Sequence, residues 1–267
     1  GFGFLGTIAS VGLAYLVLRV FATDTLETVA GVKAAFPAIA LFFLAFSLPF
    51  FLTHKDKPAK QYAIGITKTF LAIKSTFKNI AKLEGLIPFV ISAALFANAL
   101  AAIDVFFFLF AKKEIGITLQ GFMLLFMAQS LGASFGAISF GRLADKIGPR
   151  SVLKIGGVVW IVVVSSFLLS KSIVIFWIAG LLGSVAFGSV LSASRALFVF
   201  LAPQQKIGEF FGYSQIVGKF TGLFGPVIAG WLIVKYSYNA ALMMVLTLLI
   251  ISFLFILKIP DVRKIVH

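Results

Sequence analysis

The chain has 267 residues, 61% of them hydrophobic and only 12% charged, with a net charge of +14. Soluble domains carry about a quarter charged residues, so this composition belongs to an integral membrane protein, and a basic excess placed between apolar runs marks cytoplasmic loops and not a nucleic-acid partner. The absence of cysteine excludes disulfides, zinc–thiolate sites and a cysteine nucleophile, and His54 and His267 stand too far apart to suggest a metal or catalytic cluster.

A spanning helix needs about 20 mostly apolar residues. Eight such segments are predicted, at 3–22, 31–53, 86–111, 118–140, 152–170, 173–201, 209–234 and 238–258. No positively charged leader precedes the first run, so it is not a signal peptide, and the chain reads as the later portion of a longer protein. The pattern divides into two spans (1–53), a long connection (54–85), six spans (86–258) and a short tail (259–267). Alternation puts 54–85, 141–151, 202–208 and the tail on one face, with most of the Lys and Arg residues, among them Lys55, Lys74, Lys146 and Lys264. By the positive-inside rule that face is cytoplasmic, which places the C-terminus inside a multi-pass protein of the cytoplasmic membrane. Within 54–85, Phe70, Ile73, Phe77 and Ile80 recur at helical spacing while Lys74, Lys78 and Lys82 line another side. The expectation is a basic amphipathic helix on the inner leaflet, with a docking site for a cytoplasmic partner as the alternative.

The connection after the fourth span reads Gly141-Arg142-Leu143-Ala144-Asp145-Lys146-Ile147-Gly148-Pro149-Arg150. Two glycines permit a tight reversal there, Asp145 can accept from a helix N-terminus, and Lys146 and Arg150 can pair with acids or lipid phosphates. The spacing of Gly141, Arg142, Asp145, Lys146, Gly148 and Arg150 resembles the loop signature of the major facilitator superfamily of secondary transporters. The resemblance implies an all-α integral membrane fold of two six-helix bundles, in which the present spans are helices five to twelve of twelve and the first bundle is truncated. It also implies that the loop lies between the eighth and ninth helices and latches the bundles on the cytoplasmic side. Pro149 stands where the family usually has a basic residue, which removes one possible ion pair.

Further segments resemble one branch of bacterial permeases, similar to the autophagy-related vacuolar amino-acid effluxers. They are 187–195 (FGSVLSASR), Pro203, 208–213 (GEFFGY), 218–226 (GKFTGLFGP), 3–6 (GFLG) and 47–51 (SLPFF). Thr7 replaces a glycine of that branch, and Asn98-Ala99-Leu100 stands where an Asp-Gly pair is common, with the nearest acid displaced to Asp104.

Polar groups inside the spans give the site candidates. Lys219 lies about 15 Å from the inner face at 1.5 Å per residue, too deep for easy snorkelling, and is expected to face the interior. Gln215 shares its helix face, and Tyr213 lies less securely on it. This set reads as a substrate or coupling site for an anionic group, or as a structural ion pair with Asp104. Arg195 can pair with Glu209 across the inner junction as a gate, or snorkel to headgroups. Asn98, Gln129 and Ser130 are candidate cavity hydrogen-bonders or interhelical links. Gly222, Gly225, Pro226 and Gly230 suggest close packing and a kink.

The resemblance therefore implies a secondary active transporter, not an enzyme, moving an amino acid or another small zwitterionic or anionic metabolite by alternating access. No cofactor is expected, the partners are the solute and the bilayer, a proton or other coupling ion is left open, and a monomer is expected. A carrier of sugars, drugs or lysolipids, or a non-transporting scaffold, are the alternatives.

Overall fold

The computed structural model describes residues 3–21, 29–53, 85–202, 207–208, 211–212, 218–219 and 222–261. These form helices α1 (Gly3–Val20), α2 (Val29–Thr53), α3 (Leu86–Phe110), α4 (Leu119–Ile147), α5 (Pro149–Leu169), α6 (Ile173–Leu201), α7 (Phe224–Lys235) and α8 (Tyr238–Leu257), with a π turn, Ala111–Ile115, closing α3. Among the described residues there is no strand. Among the described residues, seven helices are long and apolar enough to cross a membrane. The outward faces are apolar too: Leu169 is 87% and Val234 89% exposed. A surface of that kind is stable against lipid and not against water.

Two expectations are corrected. The fourth span does not stop at residue 140: α4 runs on to Ile147, so Gly141, Arg142, Asp145 and Lys146 form its last turns. Backbone hydrogen bonding continues past the apolar run because charged residues are no barrier to a helix. Gly141 is therefore helical, and the reversal falls on Gly148 alone, at φ 86 and ψ 147, with Pro149 opening α5. That backbone is open to glycine and strained for a residue with a Cβ, while proline suits the first helical position. The second concerns 209–234, where α7 itself holds 12 residues, about 18 Å. A turn at Gly222 and Leu223 precedes it, 207–208, 211–212 and 218–219 are helical, and the other residues from 209 to 221 lie outside the described ones. The expected amphipathic connection also lies outside them, apart from Gly85.

The helices pack in the order α4 on α6, α6 on α5, α5 on α8 and α8 on α3, with α7 against α3 and α8. The α4–α6 contact is backbone to backbone. A Cβ on Gly136 would collide with the Val185 carbonyl, and one on Gly188 with the Ala133 carbonyl. Small residues at such a crossing let dispersion act where lipid removes the hydrophobic drive. Deeper, Ser252 donates to the Ser92 carbonyl at 2.9 Å, linking α8 to α3. At one end Phe107, Phe110, Phe167 and Phe176 interlock, with Phe107 and Phe176 stacked at 5.2 Å. At the other, Leu86, Val152, Leu197 and Ile259 are buried together. Outside this bundle, α1 lies against α4 and α2 packs on α1.

Candidate solute cavity

Four helix faces and the start of α1 line an open cavity of about 360 Å³. On α3 the wall is Leu100, Ile103, Asp104 and Phe107, and on α4 it is Phe126, Gln129, Ser130 and Ala133. Both sets follow the i, i+3, i+4, i+7 spacing of a single helix stripe. Trp160 and Phe167 enter from α5, Gly180, Ser184 and Phe187 from α6, and Phe4 and Thr7 from α1. Phe4 meets Phe187 edge-on at 6.1 Å, so α1 is seated on the far wall as well as on α4.

The polar groups of the wall are constrained by their own hydrogen bonds. Gln129 Nε2 donates to the Gly180 carbonyl at 3.2 Å. Because a carbonyl can only accept, that bond fixes which way the amide points and leaves Oε1 free. Ser130 Oγ donates to the Phe126 carbonyl and Ser184 Oγ to the Leu181 carbonyl, at 2.9 and 2.7 Å. Asp104 has no hydrogen-bond or ion-pair partner among the described residues. Trp160 Nε1 is buried without a partner there.

The structure separates several residues that the sequence grouped together. Asn98 precedes Leu100 by two residues, about 200° around α3, so it turns away from the cavity. Its Oδ1 accepts from the Gly225 backbone N–H at 2.9 Å, and its Nδ2 donates to the Ala94 carbonyl at 2.9 Å. Asn98 thus caps α7 from a neighbouring helix and satisfies one of the orphan donors of its first turn. A Cβ on Gly225 would collide with the Asn98 carbonyl, and one on Gly230 would meet Phe106 Cζ at 3.1 Å. Pro226 falls in that first turn, where a missing N–H costs little. Lys219 is exposed and is not part of the cavity wall. Arg195 is exposed as well; Glu209, Tyr213 and Gln215 lie outside the described residues.

At the Gly148 end, Arg142, Asp145 and Lys146 are exposed. A Cβ on Gly141 would meet Ser192 Oγ at 3.0 Å, so α4 passes close to α6 here too. Arg150 turns inward: its Nη2 donates to the Leu257 carbonyl at 2.8 Å, at the C-terminus of α8. A guanidinium suits that negative end of the helix dipole. Residues 89–265 match the profile of the Major Facilitator Superfamily.

The chain belongs to the major facilitator superfamily. Among its curated relatives, the uncharacterized MFS-type transporter YxiO of Bacillus subtilis is 24% identical over 85% of this chain and 54% of that protein. The multidrug resistance protein MdtG of Klebsiella pneumoniae is 20% identical over 88% of this chain and 57% of that one. The chain spans about half the length of these relatives. A crystal structure of a bacterial homologue of the iron transporter ferroportin, in its outward-facing state, superposes with a TM-score of 0.59 at 16% identity. It covers 92% of this chain and 58% of that one, a likeness of fold alone. The family is one of membrane transporters, not of enzymes.

Within this major facilitator fold, sequence reasoning named Asp104, Gln129 and Ser130 but missed the rest of the wall, namely Thr7, Trp160, Ser184 and the phenylalanines. It also missed the end opposite Gly148. There Lys171 pairs with Glu114 at 3.6 Å, donates to Asn239 Oδ1 at 2.9 Å and lies 4.6 Å over the Phe110 ring. At the start of α4, the Tyr15 hydroxyl accepts from Gln120 at 2.9 Å and from Arg19 at 3.2 Å. A lone lysine and a tyrosine gave no periodic signal by which they could have been found.

Proposed function

We propose that this chain is part of a secondary active transporter that moves a small metabolite by alternating access, with the Asp104 cavity as its solute site. The observation that supports this best is the shared wall: Phe4 and Thr7 of α1 close a cavity otherwise built by α3 to α6. A site between two packed units opens to either face when one rocks against the other. The resemblance of 187–226 to amino-acid effluxers favours an amino acid or another small zwitterionic or anionic metabolite; of these, the Asp104 carboxylate in the wall suits the amine-bearing ones. The exposed charges Arg142, Asp145 and Lys146 serve as the latch on the cytoplasmic side, with Arg195 and Glu209 as a second pair.

The lysine-rich flanks favour the Gly148 end and the C-terminus as the inner face of a bacterial cytoplasmic membrane. An Arg142→Cys variant labelled in intact cells tests that orientation: an impermeant maleimide should leave it unmodified until the cells are opened. For the transport reading, the protein in liposomes should exchange labelled solute, and Thr7→Trp, which fills the cavity, should abolish exchange while leaving the unfolding midpoint in place. Normal exchange by that variant would refute the cavity as the solute path.

A further inference from the structure

We infer that the cavity selects solutes carrying a protonated amine on an aromatic or apolar body, and rejects anions of the same size. This deepens the reading of the cavity as a solute site and rests on it. Three features of the wall lead to it.

The first is the direction of the hydrogen bonds. Ser130 and Ser184 both spend their protons on carbonyls of their own helices, and Gln129 spends an amide proton on Gly180. What remains toward the cavity is mainly lone pairs, from two hydroxyl oxygens, an amide oxygen and the Asp104 carboxylate, against the one amide N–H that Gln129 keeps. The hydroxyl of Thr7, able to donate or accept, adapts to either kind of ligand. Trp160 Nε1 is a donor, but it is buried behind the wall surface. A solute offering three N–H bonds meets partners here, whereas a carboxylate meets repulsion.

The second is the charge balance. Asp104 stands in the wall with no Lys, Arg or His beside it among the lining residues. Asp104 is exposed and so accessible to a solute, and an unpaired carboxylate within an apolar span favours a cationic partner. The third is the remainder of the lining, which is aromatic: Phe4, Phe107, Phe126, Trp160, Phe167 and Phe187. Aromatic faces take up both an apolar ring and the positive head of an amine. A transition-metal cargo fits poorly, because one carboxylate without histidine or cysteine is a weak ligand set, and no group of three such residues occurs among the described ones.

The test uses four probes of one shape: 2-phenylethylamine, 2-phenylethanol, 3-phenylpropanoate and L-phenylalanine. Binding to the purified protein is followed by tryptophan fluorescence, and exchange is followed in liposomes. The amine should bind about tenfold to a hundredfold tighter than the alcohol and the carboxylate, as expected for a charge-assisted bond to Asp104. Phenylalanine should fall between the amine and the carboxylate. Asp104→Asn should erase the preference for the amine while still binding the alcohol, which shows that the variant is folded. Equal binding of all four, tightest binding of the carboxylate, or no binding of any probe overturns the inference. Asp104-dependent binding of the amine without exchange in liposomes would leave this inference standing and sink the transport reading instead.

Discussion

At the scale of single residues, Asn98 shows how a polar group inside a span can be structural. Its side chain is used at both ends, by the Gly225 N–H and by the Ala94 carbonyl. Removing it strands a helix-terminal donor in an apolar setting, so Asn98→Ala should cost about 1–3 kcal/mol. The check is the thermal unfolding midpoint in detergent, which should fall, and an unchanged midpoint would remove the capping role. The sequence made Asn98 and Asp104 look alike, as two polar residues in one helix. What separates them is the angle around α3, about 240° for six residues, and the position of α7, which no local pattern records. Arg150 teaches the same lesson: its spacing within the motif was legible, but its partner, the Leu257 carbonyl, lies 107 positions away.

At the scale of elements, the apolar runs located six of the eight helices well, because length and hydropathy are local properties. They misplaced the end of α4, since hydropathy marks where lipid stops and not where backbone hydrogen bonding stops. The crossing of α4 and α6 was readable in principle, for Gly132 and Gly136 are four apart, as are Gly180, Ser184 and Gly188. Which helices those small residues join was not readable. The contact makes a contrast between two glycines. Gly136→Val drives a branched side chain into the Val185 backbone and should destabilise by about 1–3 kcal/mol or more. Gly6→Ala, where no atom lies within 4 Å of the new Cβ, should be neutral or slightly stabilising. Equal midpoints for the two variants would mean that α4 and α6 are not in backbone contact.

For the whole molecule, the family was legible in one short motif and in the order of apolar runs, whereas the cavity was not. Its wall draws on five helices, from Phe4 of α1 to Phe187 of α6, and only folding brings those positions together. In the proposed transport cycle that wall is the moving boundary of a solute path, reached from one face and then the other. The absence of cysteine from these 267 residues makes this directly measurable at a single introduced thiol. A Thr7→Cys variant of the protein, reconstituted in liposomes of known orientation, can be exposed to an impermeant maleimide from either face alone. Alternating access predicts modification from both faces, with 2-phenylethylamine slowing each. Modification from one face only, however long the exposure, would contradict it.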